Sequence, residues 1–171
     1  MSANIPGFDA SGALMGAAAG FAAVWIMDCV DWFGYEHEDA AARERTKTVR
    51  PGGMDPAHVA ADRIARRAGV TLEPRDHNPA GLAMHYAIGV VPAAFYGGFR
   101  ESVPQISAGH GALFGMAMFL GHDEVMNPLL GLAAKANEYP WQAHGRGFIA
   151  HLAYGLTLET LLRLTDRRVR H

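Results

Sequence analysis

Ala80–Phe99 reads AGLAMHYAIGVVPAAFYGGF and carries no charge when His85 is neutral. A bilayer core of about 30 Å takes roughly 17–25 largely apolar helical residues, so this stretch predicts a membrane-spanning helix. Three further segments read alike. Ser11–Val30 is apolar as far as Met27, before Asp28 and Asp31; Val103–His122 is rich in glycine; Gly147–Leu164 is broken by Glu159 and Arg163. A soluble protein can bury helices that are apolar all round. Here four such segments fill nearly half of 171 residues and leave too little polar helix to cover them. The expected fold is therefore all-α. It is a single membrane domain over residues 1–171, with about four transmembrane helices near 11–30, 80–99, 103–122 and 147–164 and the lipid bilayer as surroundings.

Glycine spacing fits helices that meet in lipid. Gly12, Gly16 and Gly20 form two successive GxxxG steps, and Gly111 and Gly115 form another. Small residues at this spacing let backbones approach where packing drives association. In a soluble helix each would cost about 1 kcal/mol relative to Ala. Trp25, Trp32, Tyr35, Tyr139 and Trp141 fall near the ends of the spans, as an aromatic belt would. Pro92 sits inside the second span, where neighbouring helices can satisfy the backbone groups it frees.

Hydrophobic residues make up 50% of the chain, yet its polarity is concentrated: residues 36–76 hold more than half of the Lys and Arg. A net charge of -2 gives nucleic-acid binding no electrostatic support. Cys29 is the sole cysteine, which excludes an internal disulfide and a cysteine-based zinc site. Residues 12–27 lack the preceding positive region of a cleavable signal.

The connection at 34–79 is the sizeable extramembrane part. Asp55 and Pro56 read as N-cap and first position of a short amphipathic helix that ends at Gly69. Ala57, Ala60, Ala61 and Ile64 share one face of it, opposite Asp62, Arg63, Arg66 and Arg67. The later connection, 123–146, contains a run at 128–132 that is apolar but too short to span; it is re-entrant or interfacial.

In an up-down bundle, Asp28, Asp31, His85, His122, Asp123, Glu124 and His151 fall at one end, with His37 and His144 just outside. Neutral imidazole is a common metal ligand, and carboxylates complete sites for zinc, iron or manganese. The candidate metal or proton site is therefore His85, His122 and His151, assisted by Asp28, Asp31 and Glu124. A transition metal and haem are both open as cofactors. The plainer reading is that each residue marks a helix end at a membrane interface. No HExxH, no ExxH on a span and no CxxC occurs, and no nucleophile elbow or phosphate-binding loop is present. An enzyme is thus not the expected reading. Glu159 is an intramembrane charge, and Arg163, four residues later, is its expected local partner. A structural or interaction protein, homo-oligomeric through the Gly12/Gly16/Gly20 face, and a haem or metal redox protein stand as alternatives.

Orientation is balanced by charge. Arg163, Arg167, Arg168 and Arg170 favour a cytoplasmic C-terminus, while the eight Lys and Arg of the first connection favour the opposite. From His85 to Arg168 the chain resembles the YagU family of bacterial inner-membrane proteins, whose molecular role is undefined. The residues that carry the likeness are His85, Glu101 and Pro104, His122, Pro128, Gly131-Leu132 and Pro140-Trp141. His151, Glu159 and Arg167-Arg168 complete it. The resemblance implies a multi-span bundle with both termini cytoplasmic, the histidines on the periplasmic side and an association with acid tolerance. It implies no cofactor, substrate or catalytic residue.

Overall fold

The computed structural model describes residues 7–169, side chains to 166, and is all-α. Arg170 lies outside the described residues, as do the side chains of Arg167 and Arg168, so the orienting C-terminal arginines are described only at Arg163.

Helix α1 spans Ala10–His37. Asp9 caps it, accepting from the backbone N–H groups of Ser11 (3.1 Å) and Gly12 (2.6 Å). Its 28 residues would reach about 42 Å at 1.5 Å per residue, so Asp28 and Asp31 lie within the helix rather than at its end. Helix α2, Ala40–Val49, starts on Asp39, a cap signal that the sequence reading passed over. Helix α3, Pro56–Arg67, starts on Asp55 and Pro56 and is followed by Gly69 at φ 73°. The first connection thus holds two short helices, not one. Asp62 on α3 is buried and accepts from Arg66 (2.9 Å) and Arg75 (3.1 Å). Burial pushes its pKa up, but those hydrogen bonds outweigh the burial and hold the carboxyl below its ordinary value.

Helix α4, Pro79–Phe99, is capped by Asn78, which accepts from Gly81 N–H at 2.8 Å. It runs through Pro92, which has no N–H for the carbonyl four residues back. In that same turn the buried Tyr154 hydroxyl donates to the Gly89 carbonyl at 2.7 Å. Val103–Gly111 departs from the expected third span. Pro104–Ser107 is a 3-10 turn, and Gly109, His110 and Gly111 all have positive φ (61°, 59° and 85°). Three consecutive left-handed residues cannot continue a right-handed helix. Helix α5 therefore begins at Ala112 and runs to Met118, then passes through a π-helical stretch, Phe119–Met126, into α6, Asn127–Leu129. Leu130–Gly131 is a turn, and Ala136–Glu138 a 3-10 turn. Helix α7 spans Trp141–Val169.

Among the described residues two helices, α1 and α4, are both long and apolar enough to cross a membrane. The other two expected spans do not meet both conditions: the third is shortened by its left-handed start, and α7 is made less apolar by Arg146 near its start and by charge from Glu159 onward.

Helix α1 packs against α4 and α7, α5 against α7, and α3 against α4. Glycines set the closest approaches. A Cβ at Gly16 would strike the Ala93 carbonyl, and one at Gly97 the Gly12 carbonyl; Gly20 meets Ala93. Gly111 and Gly115 meet Gly155 and the His151 carbonyl in the same manner. The Gly12/Gly16/Gly20 face thus packs on Gly97 and Ala93 of α4 in the same chain. The core is Ala19, Ala23, Val24, Ala93, Tyr96, Tyr154, Leu158 and Leu162. Away from it, Phe21, Trp25, Val91, Phe95 and Ile149 are more than half exposed.

Candidate functional site

A cavity of about 390 Å³ lies at the end of the bundle where α1 and the π stretch finish and α4 and α7 begin. Asp28, Asp31, His85, His122, Glu124 and His151 all line it. Helices α2 and α3 contribute Thr46 and His58, and the 130–140 segment contributes Ala136 and Tyr139. Met27, Leu82, Ile88, Met118 and Phe119 supply apolar wall.

The polar groups are engaged one by one. His85 Nε2 is 2.8 Å from Asp28 Oδ1. His122 Nδ1 is 3.2 Å from Asp123 Oδ1. His151 Nδ1 is 2.9 Å from the Gly147 carbonyl, with Asp123 Oδ2 at 3.7 Å. On α3, His58 Nδ1 is 2.6 Å from Asp55 Oδ2, its ring laid against Gly81. Arg146 donates to Asp31 at 2.9 Å and to Glu38, and its guanidinium lies 5.1 Å from the Tyr35 ring centroid. The residues expected to hold a metal therefore share a cavity without converging. Among the described residues no three His, Cys, Asp or Glu side chains stand close enough to hold an ion. His122 and His151 turn to acceptors on their own stretches of helix, and His85 reaches across from α4 to Asp28 on α1.

His144 has the most distinctive setting. Its Nδ1 is 2.6 Å from Glu124 Oε1 and its Nε2 is 2.9 Å from the Ala136 carbonyl. Both partners are acceptors, so the imidazolium, with two N–H donors, satisfies both at once, while a neutral ring has one donor. The same segment is held by two arginines. Arg63 donates to the carbonyls of Leu130 (2.7 Å) and Gly131 (2.6 Å), and Arg45 to that of Glu138 (2.9 Å). Residues 130–138 are thus clasped through backbone carbonyls by α2, α3 and α7.

The π stretch aligns the wall. The Asn127 N–H bonds the His122 carbonyl, five residues back, and the Asn127 amide lies 3.4 Å from both His122 Nδ1 and Asp123 Oδ1. π geometry is rare and occurs mostly as single bulges. Here it brings His122, Asp123 and Asn127 to one side.

A second polar centre lies at the opposite end. Glu159 is 0% exposed. It accepts from Tyr96 (2.8 Å), from Arg163 (2.5 Å) and from Arg100 through two nitrogens (2.9 and 3.2 Å); Arg100 also bonds Asp166 at 2.6 Å. The expected Arg163 pair is present, but the cross-helix partner Arg100 gives no local sequence signal.

These features describe an all-α bundle with an amphipathic cavity at one end and a buried ion-pair centre at the other. Within that class, the chain belongs to the family described as a protein of unknown function (DUF1440), which matches residues 60–160, more than half of its length. The matched region includes His85, His122, Asn127, His144, His151 and Glu159, but not α1. Neither a curated protein nor a solved structure matches the chain.

Proposed function

We propose that the chain is a multi-pass protein of the bacterial inner membrane whose end cavity binds protons and relays their binding to the 130–140 segment. The observation that carries this is His144, held between Glu124 and the Ala136 carbonyl. Losing one ring proton removes one of the two contacts, and with it a tie between α7, the π stretch and the segment above.

The membrane reading is supported by the apolar length of α1 and α4 and by large apolar side chains exposed around the bundle. Water would meet an apolar surface of the kind that marks membrane or partner contact. Four helical members, α1, α4, residues 112–129 and α7, would then stand in lipid with both termini cytoplasmic. The likeness to the YagU family supports that placement.

The charge of the cavity wall supports proton binding. Asp28, Asp31, Asp55, Asp123 and Glu124 face Arg50 and Arg146, together with His58, His85, His122, His144 and His151. Five carboxylates and two arginines leave three negative charges in surplus when the imidazoles are neutral. The groups that meet the His144 ring are Glu124 from the π stretch and the Ala136 carbonyl and Tyr139 ring from the covering segment.

Amide hydrogen exchange in lipid nanodiscs at pH 8 and pH 6, corrected for intrinsic rates, tests this. A hydrogen bond to a charged group is worth about 1.5–3 kcal/mol. Residues 133–139 are therefore expected to exchange about tenfold or more faster at pH 8, with the difference lost in His144→Phe. Equal corrected exchange at both pH values in the wild type would refute the relay.

A further inference from the structure

We infer that the turn at residues 125–134 is a bilayer-contact surface, sunk below the lipid headgroups with Val125, Met126, Leu129 and Leu130 against the acyl chains. This rests on the membrane reading of the bundle and assigns a partner to the apolar run 128–132, which is too short to span. Between Glu124 and Lys135 no residue is charged, and the one polar side chain, Asn127, is buried. Leu129 is 77% exposed, Leu130 56% and Val125 50%. Exposed positions recur at Leu113, Ala117, Leu120-Gly121, Val125-Met126 and Leu129-Leu130, so one face of α5 continues through the π stretch to the turn. From Leu113 to Leu129 that face extends at most about 24 Å at 1.5 Å per residue. This is less than the bilayer core of about 30 Å, so lipid that covers Leu113 and Leu120 reaches Leu129 as well.

The backbone points to lipid independently of the side chains. A helix that ends in water can leave its last carbonyls to the solvent. In lipid each unsatisfied group is costly and must find its partner within the protein. Here the carbonyls of Met126, Asn127 and Pro128 accept from the N–H groups of Leu130 (2.9 Å), of Leu132 and Ala133 (2.8 and 3.2 Å) and of Gly131 (2.9 Å). Those of Leu130 and Gly131 accept from one guanidinium, Arg63, at 2.7 and 2.6 Å. The Ala134 N–H donates to the Tyr139 hydroxyl at 3.3 Å. Every backbone N–H from Leu130 to Ala134 thus has an acceptor inside the protein, and an arginine from α3 covers the carbonyls at the turn. A turn in water needs neither. Protein interfaces carry about one hydrogen bond per 100–200 Å², and this face presents no polar side chain to make one, which suits acyl chains better than a protein partner. Just beyond the turn stand Lys135, exposed, and Trp141, 76% exposed, residue types that mark the membrane surface.

Nitroxide labels test this on the full chain in lipid nanodiscs, attached to Leu129→Cys and, separately, Leu130→Cys in a Cys29→Ser background. Both side chains are more than half exposed, so a label there displaces no packed neighbour. Phe95→Cys, on the exposed face of α4, is the lipid reference, and Lys47→Cys, exposed on α2, is the water reference. Relaxation of each label by oxygen, which gathers among acyl chains, is compared with relaxation by a water-soluble nickel chelate. The oxygen-to-nickel ratio at Leu129 and Leu130 is expected to shift away from the Lys47 value to that of Phe95. A ratio equal to that of Lys47 puts the turn in water and overturns the inference. Weak relaxation by both agents means that a second copy or another protein covers the turn, and overturns it too. If Phe95 itself matches Lys47, the membrane reading falls and takes the inference with it; if Phe95 reports lipid and Leu129 reports water, the inference alone falls.

Discussion

Gly16→Leu is expected to prevent α1 and α4 from packing. A Cβ at residue 16 would collide with the Ala93 carbonyl and stand 3.0–3.1 Å from the Cα and N of Gly97. Both obstacles are backbone, so no rotamer change relieves them, and the remaining atoms of leucine enlarge the conflict. The helices must separate, and the cluster of Ala19, Ala23, Val24, Ala93 and Tyr96 loses its contacts. Overpacking a well-packed contact costs about 1–3 kcal/mol and occasionally more; a two-backbone clash at the longest interface belongs at the upper end. The thermal midpoint in detergent and resistance to limited proteolysis should both fall. Gly121→Ala is the control, since nothing lies within 4 Å of a Cβ there, and it should behave as wild type. Loss of a higher oligomer with an intact monomer would instead mean that the glycine face joins two chains.

Glu159→Ala is the second large effect. The carboxylate is wholly buried and accepts from Tyr96, Arg100 and Arg163. Its removal leaves Arg100, whose side chain is 16% exposed, with Asp166 alone. Breaking a buried pair by removing one partner costs about 3–5 kcal/mol, because the other charge stays in an apolar place. The single change should therefore lower the thermal midpoint sharply, and Arg100→Met should do likewise. Replacing both at once, as Glu159→Leu with Arg100→Met, should recover much of the loss, since neither charge is then stranded. Additive losses in that double-mutant cycle would show that the two side chains do not act as a pair.

Sequence reading succeeds here where the signal is local. Asp55, Pro56 and Gly69 delimit α3 because a cap, a preset φ and a left-handed stop each act within a few residues. Apolar length sets Ala80–Phe99 against an observed Pro79–Phe99. The third segment misleads because composition does not report chirality: Gly109-His110-Gly111 looks like part of a glycine-rich helix and is a left-handed turn. Topology alone suffices to bring Asp28, Asp31, His85, His122, Glu124 and His151 to one end, and all six line the cavity. It does not give separations, so it could not show that His85 meets Asp28 while His122 and His151 turn to Asp123 and the Gly147 carbonyl. The groups that give the site its character, His144 between Glu124 and Ala136 and the Asn127 amide beside His122 and Asp123, depend on a π stretch and on a loop fold. Neither has a period that can be read from residues, and Arg100 meets Glu159 across 59 positions of chain.

The most direct test of the central claim is a count of protons taken up per chain when the reconstituted protein passes from pH 8 to pH 5.5. Wild type is compared with one variant in which His58, His85, His122, His144 and His151 are glutamine. It is also compared with another in which His37, His77 and His110 are. Imidazoles lining a water-reachable cavity that binds protons should contribute several protons, so the first variant should take up markedly fewer than wild type. The second should lose only what exposed surface histidines provide. Uptake by the first variant equal to that of wild type would contradict the account, because the cavity would then exchange no protons with water.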